Sequence, residues 1–302
     1  MTTSFQRLQR LLRAYPSLNL RIEVDKQHHE AHVNLPGLRY DDIDYTGQPS
    51  MWRLLNTIGR AEHAAFYNEE SFLRYTKLHN QGIGTFSSEI TMEFGRHFYE
   101  VTTPKSPMQV KLNVIGISDT SFTTCMSVMV GGRLKPSVQV KSLNVLRHRD
   151  SGLVEQVPDW FQMHFSNFLP RFPEKPAVTD PPEEIGQTFA HHLTVPFSDT
   201  DTSGNTRHPM YVRYLFDNMS IASHRFFYKK FTGDLDHLLV RKMSCISFGT
   251  TQFGDAVTVE TFENPLEEEE LKLHCFVGKN GQIQWYGCIE FFPLAPNTKS
   301  NT

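Results

Sequence analysis

Most of the residues whose types and spacing suit chemistry crowd into one stretch, FSDTDTSGNTRHPMYVRYL over residues 197–215. Asp199 and Asp201 stand one residue apart, Gly204 marks a turn, and Arg207, His208, Pro209 and Tyr211 lead into a run with helical apolar spacing. Proline suits the opening of a helix, where its missing N–H is no loss and its φ is already helical, so the helix is predicted to begin at His208 or Pro209. A helix head presents unpaired N–H groups and a partial positive charge. A loop carboxylate and a donor at the helix head would then face one reacting carbonyl, the first as general base or nucleophile, the second as donor to a developing oxyanion. The plainer role for Asp201 is to cap a turn or the helix, which Asp does readily. Asp199 is expected to brace the loop.

The pattern D-x-D-x-x-G-x-x-x-x-P-x-Y, filled by Asp199, Asp201, Gly204, Pro209 and Tyr211, resembles the signature of the 4-hydroxybenzoyl-CoA thioesterase branch of the hotdog-fold superfamily. Phe253, Gly254 and Asp255, followed by VTVET, are similar to that family's strand after the helix. The resemblance implies an α+β fold in which an antiparallel sheet wraps a long central helix. It implies hydrolysis of an acyl thioester, most simply acyl-CoA, with no metal or redox cofactor. Carried over by position, it makes Asp201 the catalytic carboxylate and the His208 N–H the donor, with Gly204 and Asp199 in the catalytic loop and Arg207, Pro209 and Tyr211 binding substrate. Arg225, Lys229 and Lys230 are further cations for coenzyme A phosphates, or simply a solvated helix end. Two departures narrow the resemblance. Asn205 stands where many relatives place histidine, and neither the N-x-H-x-N of plant acyl-ACP thioesterases nor the D-x-N-P-x-H of hotdog hydratases occurs.

The elements that must position these residues are written twice. YDDIDYTGQPSMWRLLNTIGRAEHAAFYN, from residue 40, is a worn copy of the same stretch: Asp44 precedes Gly47 as Asp201 precedes Gly204, an offset of 204 − 47 = 157. Matching Met51 to Met210 needs 159, which sets Pro49 in the place of His208 and predicts a first copy without the backbone donor. Strand-like segments follow each helix, near 84–98, 107–117, 120–131 and 137–149, then 238–249, 253–263, 269–278 and 282–293. The reading is therefore an internal duplication, a tandem double hotdog. It has a degenerate N-terminal repeat (1–158), a Pro-rich linker (159–186) without helix, a motif-bearing C-terminal repeat (187–295) and a disordered tail (296–302). Asp44, Glu62 and His63 in the first repeat are expected to be structural. The second helix is expected to carry its apolar stripe from Met210 through Phe226 and Phe227, stopping near Gly233.

Composition sets outer limits. The 302 residues give room for two ordinary domains, and a net charge of −3 calls for neither nucleic acid nor an anionic membrane. Four scattered cysteines without C-x-x-C spacing read as buried reduced thiols. His28, His29 and His32 fall short of H-E-x-x-H and are expected to sit on a solvated hairpin, with no metal. No apolar run reaches the length of a membrane span. The expected setting is cytoplasmic. The segment before Ser17, with Arg7, Arg10 and Arg13 among leucines, reads as a packed amphipathic helix, or as a mitochondrial transit peptide. A homodimer of tandem units would fit by analogy. Two other functions compete with hydrolysis: a non-catalytic protein that binds acyl or aromatic ligands, and a hotdog enzyme that releases or cyclises a polyketide-like acyl chain.

Overall fold

A computed structural model gives the fold and describes residues 21–25, 27–44, 47–67, 74–100, 106–133, 135–169, 174–201, 204–231, 238–267 and 270–293. The amphipathic segment before Ser17, the helix stop at Gly233 and the tail 296–302 lie outside these. In chain order the elements are β1 (Arg21–Asp25), β2 (Glu30–Leu35), α1 (Met51–Tyr67), α2 (Tyr75–Asn80), β3 (Ile83–Phe94), β4 (Met108–Ile117), β5 (Ser121–Val130), β6 (Val138–His148), α3 (Asp159–Phe165), β7 (Phe189–Thr194), α4 (His208–His224), β8 (Val240–Ser247), β9 (Ala256–Phe262), β10 (Lys272–Lys279) and β11 (Gln282–Phe291).

The chain forms two compact units. The first holds the described residues up to Leu38, Leu54–Ser88 and those within Thr102–Pro176; the second holds Arg39–Arg53, those within Glu89–Val101 and those from Ala177 on. The units thus interleave along the chain.

In the first unit the strand order is β1-β2-β4-β5-β6-β3, with β1–β2, β2–β4, β4–β5 and β5–β6 antiparallel; in the second it is β3-β8-β11-β10-β9-β7, antiparallel throughout. Take β2 and β7 as the first strand of each repeat: both repeats then run first, third, fourth, fifth, second across the sheet. The alternation in β4 does what its period of two requires. Met108, Val110, Leu112 and Val114 are buried while Gln109, Lys111 and Asn113 are partly open. Against this unit's core α1 buries Leu54, Ile58, Ala61, Ala65 and Phe66, the last edge-on to Phe122. In the second unit Asn218 ties α4 to its sheet, its amide donating to the carbonyls of Phe189 and Val259 at 3.0 and 3.1 Å.

Two local expectations change, in the linker and at the end of α4. The linker opens with a helix, α3, because Phe161 and Phe165 fall four apart and bury together, Phe161 packing on Phe122; the helix-breaking prolines begin only at Pro170. Helix α4 ends at His224. Phe226 turns left-handed (φ 54) and is 73% exposed, while the Phe227 N–H returns to the Ala222 carbonyl at 3.0 Å, a Schellman closure. Strand β10 is buried on both faces from Leu273 to Val277, because Phe276 packs with Phe262 and Tyr286. Glu267 reaches His274 Nε2 at 2.9 Å.

All four cysteines are buried and free. His28 bonds Asp25 at 2.7 Å on the β1–β2 hairpin, and among the described residues no group of His, Cys, Asp and Glu is arranged to hold a metal. No helix among them is long and apolar enough to cross a membrane.

Candidate active site

The D-x-D stretch folds as a tight loop ahead of α4. A 3-10 turn over Phe197–Asp199 leads into a β-bridge between Thr200 and Thr206. The Asp201 N–H donates to the Asn205 carbonyl (2.8 Å), the Gly204 N–H to the Asp201 carbonyl (3.1 Å) and the Arg207 N–H to the Asp199 carbonyl (2.9 Å). Gly204 sits at φ +81, where a Cβ would be strained. Asp201 is exposed, and its Oδ1 accepts the Asn205 N–H at 3.1 Å, so the side chain closes its own turn.

Asp199 braces this loop from below. It is 1% exposed, accepts the Tyr214 hydroxyl at 2.7 Å and pairs with the Arg213 guanidinium, both one turn into α4. Burial, reinforced by the Asp199 carboxylate, pushes the Tyr214 phenol above its ordinary range. Arg207, ahead of the first helical residue, spends its guanidinium on the Ser198 carbonyl at 2.7 Å, and Pro209 occupies the first turn. Tyr211 is buried: it stacks on Trp285, with centroids 5.6 Å apart and planes 13° apart, and its hydroxyl accepts the Thr251 N–H at 3.0 Å. Thr251 in turn meets Thr206 at 2.6 Å, joining the β8–β9 connection to the loop.

His208 opens α4, as its neighbour Pro209 predicts. Its ring is not solvent-facing. Both imidazole nitrogens are buried and find no hydrogen-bond partner among the described residues, and the same holds for Trp285 Nε1, whose ring lies 6.0 Å away between centroids. Burial pushes the imidazole down to about 4, so it is neutral at ordinary pH.

The first copy repeats the bonds that close the loop. The Asp44 N–H donates to the Gln48 carbonyl (2.9 Å), the Gly47 N–H to the Asp44 carbonyl (3.1 Å), the Ser50 N–H to the Asp42 carbonyl (2.8 Å), and Asp44 Oδ1 accepts the Gln48 N–H (3.3 Å). Ile43 bridges Pro49 as Thr200 bridges Thr206. Helices α1 and α4 keep the same step at both ends (208 − 51 = 157, 224 − 67 = 157). The 159 alignment is therefore wrong. Pro49 matches Thr206, and Met51, which has an N–H, matches His208, so the first copy keeps a donor at its helix head.

These two matching repeats, each a long helix with strands in the same order, decide the architecture. The fold is the tandem hotdog. Solved structures similar to this chain include a putative oleoyl thioesterase from Lactobacillus plantarum (TM-score 0.71, 12% identity, 88% of this chain and 96% of that one). A 12:0-ACP thioesterase from Umbellularia californica (0.67, 10%, 88% and 98%) and an acyl-ACP thioesterase from Bacteroides thetaiotaomicron VPI-5482 (0.65, 15%, 89% and 100%) are also similar. At such identities the likeness is one of fold. No family model and no curated protein matches the chain.

Within this tandem hotdog the first repeat holds a polar group expected only to be structural. Glu62 on α1 takes a hydrogen bond from Thr124 on β5 at 3.2 Å, and burial pushes its carboxyl up to about 7 against the lowering effect of that bond. Glu62 and its neighbour His63 reach a cavity of about 180 Å³. The sequence signal was present: Glu62 stands four residues after Ile58 inside the apolar stripe of α1, where a carboxylate has no packing reason to be.

Proposed function

We propose that this protein hydrolyses acyl thioesters, with acyl-CoA as the substrate, at the head of α4. The observation that carries the reading is the neutral, buried imidazole of His208, which lacks a hydrogen-bond partner among the described residues at the point where the D-x-D loop enters the helix. A buried polar group without a partner is costly, of order 1–3 kcal/mol, and a bound thioester would supply the missing partner. In this reading Asp201 activates water or attacks the acyl carbon, the backbone N–H of His208 holds the oxyanion, and Gly204 and Asp199 set the loop. Arg207, Pro209 and Tyr211 shape the substrate side. Likeness of fold to thioesterases supports the same chemistry.

Thiol release over a panel of short, long and aromatic acyl-CoAs tests it. Asp201→Asn keeps an oxygen for the Asn205 N–H, so the turn should survive while the rate on long acyl-CoAs falls by about 10²-fold or more; an unchanged rate on them refutes the role of Asp201.

One observation favours a second reading, a protein that binds acyl groups without turnover. Asp201 bonds its own turn as Asp44 does, so both aspartates already have a structural use. Tight acyl-CoA binding by the wild-type protein with no thiol release would select it.

A further inference from the structure

The polar group around Glu62 is organised rather than incidental. Ser87 Oγ on β3 donates to Asn144 Oδ1 at 2.9 Å, Asn144 Nδ2 on β6 donates to Thr124 Oγ1 at 3.3 Å, and Thr124 donates to Glu62 Oε1 at 3.2 Å. Each hydrogen in this relay points toward the carboxylate. Asn144 and Thr124 are themselves 2% and 0% exposed. Gly59, Glu62, His63, Thr85, Ser87 and Asn144 also line this half-open cavity of about 180 Å³, and all belong to the first unit. At roughly 30 Å³ per water it has space for about six waters, or for a short acyl thioester and the water that attacks it. Its polar walls suit the thioester carbonyl and the water better than a hydrocarbon tail.

The fold itself does not ask for an acid here. One repeat later (219 − 62 = 157) the same helical place holds Met219, 3% exposed in the core of the second unit. A thioether is thus compatible with this position of a hotdog helix. The first repeat instead keeps a carboxyl together with three polar groups that aim at it.

We propose that Glu62 is a second catalytic carboxylate, which in the first repeat acts as general base on a water attacking the carbonyl of a short acyl thioester held in this cavity. The inference rests on the thioester reading above and assigns that chemistry a further site. In the step, the water oxygen bonds to the acyl carbon and the water proton passes to Glu62. The C–S bond then breaks, and the sulfur leaves with the electron pair and takes the proton from Glu62, giving free acid and thiol. Glu62 ends as it began. A base that titrates near neutrality is well matched to this exchange.

The experiment measures thiol release from short and long acyl-CoAs across pH for the full-length wild type, Glu62→Gln, Glu62→Met and Asp201→Asn. Wild-type turnover of the short substrates should rise with pH through about 7, as Glu62 ionises. Glu62→Gln and Glu62→Met should lose about 10²-fold or more on those substrates and lose the rise with pH, while Asp201→Asn keeps the rise. Glu62→Met guards against misfolding, since Met219 already fills the matching place. An active wild type with Glu62 variants within about twofold of it, or slowed but with the same pH rise, overturns this inference alone. A wild type silent on every substrate overturns the thioester reading and this inference with it.

Discussion

Replacing Glu62 by Gln should stabilise the protein, and by an amount that depends on pH. In the unfolded chain this carboxyl titrates near its ordinary 4.5, whereas burial in the folded protein pushes it up to about 7. Between those values the folded protein holds a proton that the unfolded chain has released, so stability falls as pH rises. Each pH unit across the interval costs about 1.4 kcal/mol. The whole interval therefore removes about 3 kcal/mol, none of it below 4.5 and no more above about 7. Glutamine keeps the oxygen that accepts the Thr124 hydroxyl but has no proton to lose. Urea unfolding of both proteins at about pH 5 and about pH 8, followed by tryptophan fluorescence, isolates the effect, because every other titrating group cancels in the difference between them. The advantage of Glu62→Gln should grow by about 2 kcal/mol from the lower pH to the higher. An advantage that stays the same within about 0.5 kcal/mol would show that Glu62 titrates as an ordinary surface carboxylate, and the argument from its burial would fall.

Asp199→Asn should destabilise by about 3 kcal/mol, the low end for breaking a buried ion pair, because Arg213 keeps some contact with water and with Asp217; a double-mutant cycle with Tyr214→Phe should show coupling between the two positions. Gly204→Ala should cost about 1–2 kcal/mol from the left-handed φ alone, since a Cβ there meets nothing within 4 Å, and Gly204→Asn should cost less. Thermal unfolding of both variants checks these values.

Much of the architecture was legible because it rests on local rules repeated along the chain. The period-two pattern of β4, the prolines of the linker and the Asp-x-x-Gly turns each announce themselves within a few residues, and their recurrence at one interval exposes the duplication. What failed had non-local causes. Pairing Met51 with Met210 matched identical letters, whereas the helix heads are fixed by backbone bonds from Ser50 to Asp42 and from Arg207 to Asp199 that leave no trace in residue type. Phe226 looked like the next member of an apolar stripe, but the chain had already turned left-handed there. The burial of His208 and Tyr211 depends on Trp285, which arrives from a strand more than seventy residues later. Glu62 was readable as an inward-facing acid, yet its relay needs Thr124 and Asn144 from two other strands.

The matched loops make Asp42–Ser50 and Asp199–Arg207 interchangeable cassettes. They have equal length, close with the same hydrogen bonds, turn at glycines with φ of 80 and 81, and deliver the chain to helices of 17 residues each. Transplanting one into the other's position would leave helical register untouched. A chimera of this kind exchanges the loop side chains and one backbone donor, the Thr206 N–H that bonds the Thr251 carbonyl and that Pro49 lacks, so whatever property it transfers belongs to those and not to the scaffold beneath them.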